Sequence, residues 1–144
     1  MGDINNFLIS LIESIQFLKN INLDVFTDEK IYRSQKISSI DKKENVKFHF
    51  SLDDSILKNT DCIMTDVFNS MNDKEDKEEL LKKYQVNKHI MSKLPKNSVF
   101  MHCLPAKIDS EVTKEVIKGD QSIVIKQAKN RMVAQRGILK WLDI

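Results

Sequence analysis

The chain has 144 residues, 41% of them hydrophobic and 31% charged, with a formal net charge of +2, two cysteines, three glycines and two prolines. At this length such a composition buries a core and forms one ordinary domain. It excludes intrinsic disorder, and two cysteines are too few for a disulfide scaffold or a tetrahedral zinc site. No apolar run approaches the ~18–20 residues of a membrane span. Met1-Gly2-Asp3-Ile4-Asn5-Asn6 has neither the basic start nor the apolar core of a signal peptide, and Asn6 breaks the myristoylation pattern. So small a net charge gives no field for a nucleic acid. The expectation is a cytoplasmic domain with no nucleic-acid or membrane partner.

Ile4, Leu8, Leu11, Ile12, Ile15 and Leu18 fall at helical spacing, so the chain opens almost at once into an amphipathic helix. A β-rich run at 22–26 follows, then a polar stretch with Ile31, Ile37 and Ile40 that reads as a helix through about Lys43. Residues 46–50 alternate as a strand does, 53–58 make a helical turn or two, and 61–67 form a continuous apolar run of the buried parallel-strand type. Cys62 falls within that run and reads as core. Residues 76–84 and 86–94 read as helices, with Glu79 preceding Lys83 on a solvated face. Residues 98–101 read as a buried strand, 109–118 as a helix, 122–125 as a short strand and 130–142 as the closing helix.

Strands alternating with helices through short connections predict a doubly wound, Rossmann-like α/β domain with helices on both faces of a parallel sheet. Ligands of such sheets bind at the carboxyl ends of strands. The segments to inspect are therefore 66–72, 102–105 and 127–131, with the glycine-containing start. The start lacks the GxGxxG pattern of a dinucleotide site.

Asp66-Val67-Phe68-Asn69-Ser70-Met71-Asn72 carries a carboxylate, amides, a hydroxyl and a thioether off the end of a strand. A carboxylate there can receive an amine or take its proton, and Ser70 can grip a carboxylate. The plainer alternative is that Asp66 or Ser70 caps the next helix. Pro105 stops the strand before His102-Cys103-Leu104-Pro105. Cys103 would need a base to act as nucleophile, and continued strand alternation would turn His102 to the opposite face. A buried inert thiol beside a hydrogen-bonded histidine is the plainer alternative. Arg131, read as lying in the first turn of the last helix, would meet an anion together with free helix N–H groups. A surface arginine explains it equally simply.

Taken in order, GDINN, TDVFNSM, YQVN, FMHCLPA, EVTKEVI and QAKNR, ending in a helix with Trp141-Leu142, the sequence resembles the carboxyl-terminal half of ornithine carbamoyltransferases over essentially its whole length. The resemblance implies transfer of a carbamoyl group from carbamoyl phosphate to the δ-amine of ornithine, without metal or cofactor. It assigns Asn6, Asp66, Ser70 and Met71 to ornithine, and Cys103, Leu104 and Arg131 to the reacting centre and carbamoyl phosphate. Asp66 and Cys103 match the residues that handle the amine's proton, and Met71 with the 69–73 loop would close over the substrate. Asn72 stands where the family has glycine, and Lys129 where it has glutamate. The Ser-Thr-Arg-Thr and His-Pro-x-Gln motifs of the family's carbamoyl-phosphate domain are not among these 144 residues, so the chain alone is expected to be inactive and to need an amino-terminal half as partner. Two other readings stay open: a non-catalytic amino-acid-binding or interaction module, and half of a carbamoyltransferase for another amine such as putrescine.

The resemblance also implies two structural expectations. The family's central strand ends immediately before the position of Gly2, and only Met1 represents it here. The sheet is therefore expected to have a gap flanked by the strands at 22–26 and 61–67, leaving a marginal fold, a rearranged pairing, or a slot that a strand from another chain fills. The closing helix, which in the family packs on the first domain, is expected to expose an apolar face and promote self-association.

Overall fold

The structure, a computed structural model, describes residues 1–18, 20–35, 44–69 and 75–143. Its elements begin where the sequence supplies caps. Asn5 accepts the Leu8 N–H at 3.1 Å and starts α1 (Asn6–Ile15), whose apolar stripe buries Ile12 and Ile15. β1 (Leu23–Phe26) leads to Asp28, which accepts the Lys30 N–H and starts α2 (Glu29–Ser34). After β2 (Val46–His49), Asp53 caps α3 (Asp54–Leu57), and β3 (Cys62–Thr65) comes next. α4 (Glu78–Leu81) tightens into a 3₁₀ turn over Lys82–Tyr84, then Asn87 caps α5 (Lys88–Lys93). β4 (Val99–His102), α6 (Lys114–Ile117) and α7 (Val124–Trp141) complete the chain.

Every strand pairing is parallel, but the sheet is in two halves. β1 pairs with β2, Leu23 opposite Val46, and β3 pairs with β4, Cys62 opposite Val99. Met1 and Gly2 lie between the halves, the Met1 ammonium donating to the Met64 carbonyl at 2.7 Å and the Gly2 N–H to the Phe26 carbonyl at 2.9 Å. Two residues thus stand where a central strand would finish, as the sequence led one to expect. Gly2 has φ +117°, and an added Cβ would meet the Phe68 ring at 3.2 Å, so the position requires glycine on both counts.

Helices cover both faces. Val25 and Val46 pack with Ile12 of α1, whereas Phe26, the next residue of β1, packs with Ile31, Leu81 and Tyr84. Around the other half, Ile63 and Phe100 pack with Leu57, Ile90, Val116 and Val124. The Tyr84 hydroxyl, inside this core, donates to the carbonyls of Thr27 and Phe50 and so joins the ends of β1 and β2 to the helical layer.

Several expected elements differ. Residues 122–125 do not form a strand: Ser122 makes a single bridge to Phe100, the Ile123 N–H reaches the Phe100 carbonyl, and α7 begins at Val124. A short apolar run fits either period, and here the buried Val124 is satisfied within a helical first turn. The helix expected at 109–118 shrinks to α6, because Asp109 has φ +68° and Val112 is occupied in bridges to Val86 and Ile108. α2 stops at Ser34, and Ile37 and Ile40 lie outside the described residues. Cys62, read as core, is exposed, since it stands on the edge of β3 that faces the gap. No helix among the described residues is long and apolar enough to cross a membrane.

Burial has an electrostatic consequence at the start of the chain. The Met1 ammonium is part-buried, and desolvation lowers its pKa from 8.0 to about 6. Between those values the unfolded chain holds a proton that the folded chain has released, so stability rises with pH from 6 to 8. Urea titrations should show a gain on the order of 2–3 kcal/mol across that window, and acetylating the Met1 amine should flatten it.

Candidate functional site

The carboxyl ends of β3 and β4 lie side by side, Thr65 opposite His102, so the residues that come after each strand meet. Asp66 leaves β3 with both carboxylate oxygens engaged. Oδ2 accepts from Asn5 Nδ2 at 2.9 Å and Oδ1 accepts from the Val67 N–H at 2.9 Å. The Thr65 hydroxyl donates to the Met1 carbonyl, fixing the start of the chain against the same corner. Cys103 leaves β4 half-buried, with its sulfur within 4.8 Å of an Asp66 carboxylate oxygen. Burial first, and then the Asp66 carboxylate, push the Cys103 thiol up to about 12, so the sulfur carries its proton at neutral pH.

His102, 1% exposed, supports this corner from below. Its Nδ1 accepts the Leu104 N–H at 2.9 Å, which leaves Nε2 to donate to Glu111 Oε1 at 3.1 Å. The same Glu111 oxygen accepts the Lys107 N–H, and the His102 N–H donates to Gln127 Oε1 of α7 at 3.0 Å. The chain turns sharply at Leu104, where φ is +53° and the Leu104–Pro105 bond is cis. Because strand geometry ends at His102, the expected opposite facing of His102 and Cys103 does not hold. Donor atoms of Asp66, His102 and Cys103 all lie within 4.8 Å of one another. That trio has the residue types of a metal site, but both nitrogens of His102 are already hydrogen-bonded and the thiol is held protonated.

The other sequence-assigned residues are placed unevenly. Asn6 is exposed as the first residue of α1, whereas its neighbour Asn5 reaches Asp66. Ser70, Met71 and Asn72 lie outside the described residues. The two sides of that segment are tied together, Asn69 donating to Asp76 at 2.7 Å and accepting the Lys77 N–H at 2.8 Å, while the Lys77 ammonium reaches Asp3 at 2.9 Å. Leu104 is at the surface of the turn. Arg131 does not open a helix. α7 starts at Val124, so the arginine is exposed about two turns inside it, beyond the free N–H groups of the first turn.

Three residues of this corner lie within GDINN, EVTKEVI and QAKNR but receive no role from those motifs: Asn5, Glu111 and Gln127. Asn5 announces itself only as a helix cap ahead of an apolar period. Glu111 gives no local signal, because its importance comes from burial beside His102.

A family model described as aspartate/ornithine carbamoyltransferase, Asp/Orn binding domain, matches residues 1–142. The chain belongs to this family. An ornithine carbamoyltransferase of Rhodopseudomonas palustris is 40% identical over 143 residues, covering 97% of this chain and 46% of that protein. One from Methanococcus maripaludis is 46% identical over 89 residues, covering 59% of this chain and 29% of that protein. Among solved structures, the ornithine carbamoyltransferase of Burkholderia thailandensis superimposes with a TM-score of 0.80 at 27% identity over 98% of this chain and 45% of that one. The anabolic enzyme of Campylobacter jejuni gives 0.81 at 26% identity over 99% and 49%. The chain thus spans about half the length of the curated relatives that match it along its length.

In this carbamoyltransferase-family domain the Asp66–Cys103 contact has a direct chemical readout. Asp66→Asn removes the negative charge that helps hold the thiol protonated. Alkylation of Cys103 by iodoacetamide at pH 8.5, tracked peptide by peptide in the mass spectrometer, should accelerate at least about threefold. Cys62, which faces the gap, should keep its rate.

Proposed function

We propose that residues 1–144 act as the ornithine-binding half of an ornithine carbamoyltransferase, and that the chain turns over only beside a half that holds carbamoyl phosphate. The observation that carries this reading is Asp66, held by Asn5 and facing Cys103 where β3 and β4 end. In the reaction, the δ-amine nitrogen of ornithine bonds to the carbamoyl carbon, the carbon–oxygen bond to phosphate breaks, and phosphate leaves with the electron pair. The amine must shed a proton for its lone pair to attack, and the Asp66 carboxylate takes it. Cys103, protonated in the resting site and close to Asp66, serves as a proton donor beside it rather than attacking.

Asn6 and Ser70 are assigned to the α-amino acid end of ornithine, and Met71 to closing over it, which excludes water from the reacting atoms. Cys103 and Leu104, in the turn that His102 and Glu111 hold, are assigned to carbamoyl phosphate. Arg131, part-way along α7, reaches its phosphate only when the two halves come together.

Calorimetric titration tests this reading. Ornithine and norvaline should bind the chain weakly, and Asp66→Ala should abolish the ornithine heat; ornithine binding that survives the substitution overturns the assignment. Citrulline should form only when an amino-terminal half carrying the carbamoyl-phosphate motifs is supplied.

The partner surface is the outer part of α7. Ile125, Met132, Val133, Ile138, Leu139 and Trp141 are all exposed, Trp141 at 83%. Without that half, chains should associate with one another through these side chains. Trp141 emission should shift to longer wavelength on dilution and to shorter wavelength when the amino-terminal half is added. A concentration-independent spectrum from a monomer would contradict it.

A further inference from the structure

The turn from His102 to Lys107 is clamped at both ends by one oxygen. Glu111 Oε1 accepts from His102 Nε2 at 3.1 Å and from the Lys107 N–H at 2.6 Å. The other oxygen, Oε2, is buried and has no hydrogen-bond partner among the described residues. The residue as a whole is 0% exposed. Its backbone is fixed as well, since the Glu111 carbonyl accepts the Val86 N–H at 2.9 Å and the adjoining Val112 bridges to Val86 and Ile108. A buried carboxylate with an idle oxygen costs more than an apolar side chain of its size, so core packing does not account for it. What the side chain does hold, among the described residues, is the turn.

Its grip reaches Leu104 through the imidazole ring. A neutral histidine carries its proton on one nitrogen, and an acceptor beside Nε2 fixes it there. That leaves the Nδ1 lone pair to accept the Leu104 N–H at 2.9 Å. With the proton on Nδ1 instead, two N–H groups would face each other. The bond matters because Leu104 sits at φ +53°, a region that leucine rarely occupies without support from its surroundings. The Cys103–Leu104 peptide is trans and planar, so its carbonyl points opposite to its N–H. With that N–H donated to the buried ring, the Cys103 carbonyl is directed away from the core.

We propose that Glu111 is a positioning residue for the carbamoyl-phosphate side of the site: by holding His102 in its Nε2-protonated form it sets the Leu104 turn and the direction of the Cys103 carbonyl. The ligand named here rests on the carbamoyltransferase reading above, whereas the control of the turn by Glu111 does not. What the position requires is an acceptor oxygen at the reach of a glutamate side chain. Glutamine keeps that oxygen and gives up only the charge and the idle second oxygen. Aspartate keeps the charge and falls one methylene short.

Glu111→Gln and Glu111→Asp, each in the full chain, separate reach from charge. Two-bond ¹⁵N–¹H correlation spectra of the chain alone report which nitrogen of His102 carries the proton. The unsubstituted chain and Glu111→Gln should show it on Nε2, and in Glu111→Asp the Nδ1 form should become populated. Alkylation of Cys103 by iodoacetamide at pH 8.5 should accelerate at least about threefold in Glu111→Asp and not in Glu111→Gln, with Cys62 unchanged as the control for general unfolding. With an amino-terminal half supplied, Glu111→Asp should raise KM for carbamoyl phosphate at least about tenfold and Glu111→Gln by no more than about threefold. Norvaline affinity of the chain, by calorimetry, should stay within about twofold in both. A proton on Nδ1 in the unsubstituted chain overturns the proposal outright. So does equal behaviour of the two variants, or a loss of norvaline binding that matches the rise in KM. No citrulline from the unsubstituted pair overturns the carbamoyltransferase reading instead, and the spectra and alkylation rates of the chain alone then decide the part played by Glu111.

Discussion

Two hydrogen bonds made by the first two residues, Met1 to Met64 and Gly2 to Phe26, join the halves of the sheet. Each half is a two-stranded ribbon, too small to hold a fold without help. The help comes from helices shared across them and from this clasp. The contacts of the next few residues depend on it. Asp3 can pair with Lys77 and Asn5 can reach Asp66 only because Gly2, at positive φ against Phe68, turns the chain sharply into α1. The clasp that closes the sheet also brings Asn5 to the carboxylate at the end of β3.

At that carboxylate, the balance of charge decides which group is able to accept a proton. A thiol needs a cation or a helix N-terminus nearby to ionise near neutrality. Cys103 has instead partial burial and an anionic neighbour, and both act in the same direction. His102, the adjacent base by sequence, is turned under the site and spends one nitrogen on the Leu104 N–H and the other on Glu111. A cysteine–histidine pair read from the motif alone suggests a nucleophile and its base. The geometry makes the histidine a brace for the turn, and the arrangement suits proton transfer at oxygen, not attack by sulfur.

The fold was legible in the sequence where periodicity was clear. The helix from Asn6 and the runs that became β1, β2, β3 and β4 carry local signals. The misreadings came where a short apolar run had two solutions. Ile123-Val124-Ile125 fits a strand as well as the first turn of a helix, and only the prior use of Phe100 by Ser122 and Ile123 decides it. That shift of the helix start moved Arg131 from a helix end to a helix interior. In the site, Asp66 and Cys103 were legible as strand-end residues, whereas Asn5, Glu111 and Gln127 were not. Their roles depend on contacts across 61, 9 and 25 positions of chain, and a motif scan sees no such distance.

α7 connects the site to the outside of the domain. Its 18 residues make a rod ~27 Å long, and only Val124 in its first turn is buried in the core. One turn further, Gln127 accepts the His102 N–H. Beyond it, every side chain from Ala128 to Leu142 is exposed. His102 in turn fixes the turn that carries Cys103 and Leu104. Gln127 and His102 thus make a hydrogen-bonded connection between the start of α7 and the turn that lies beside Asp66.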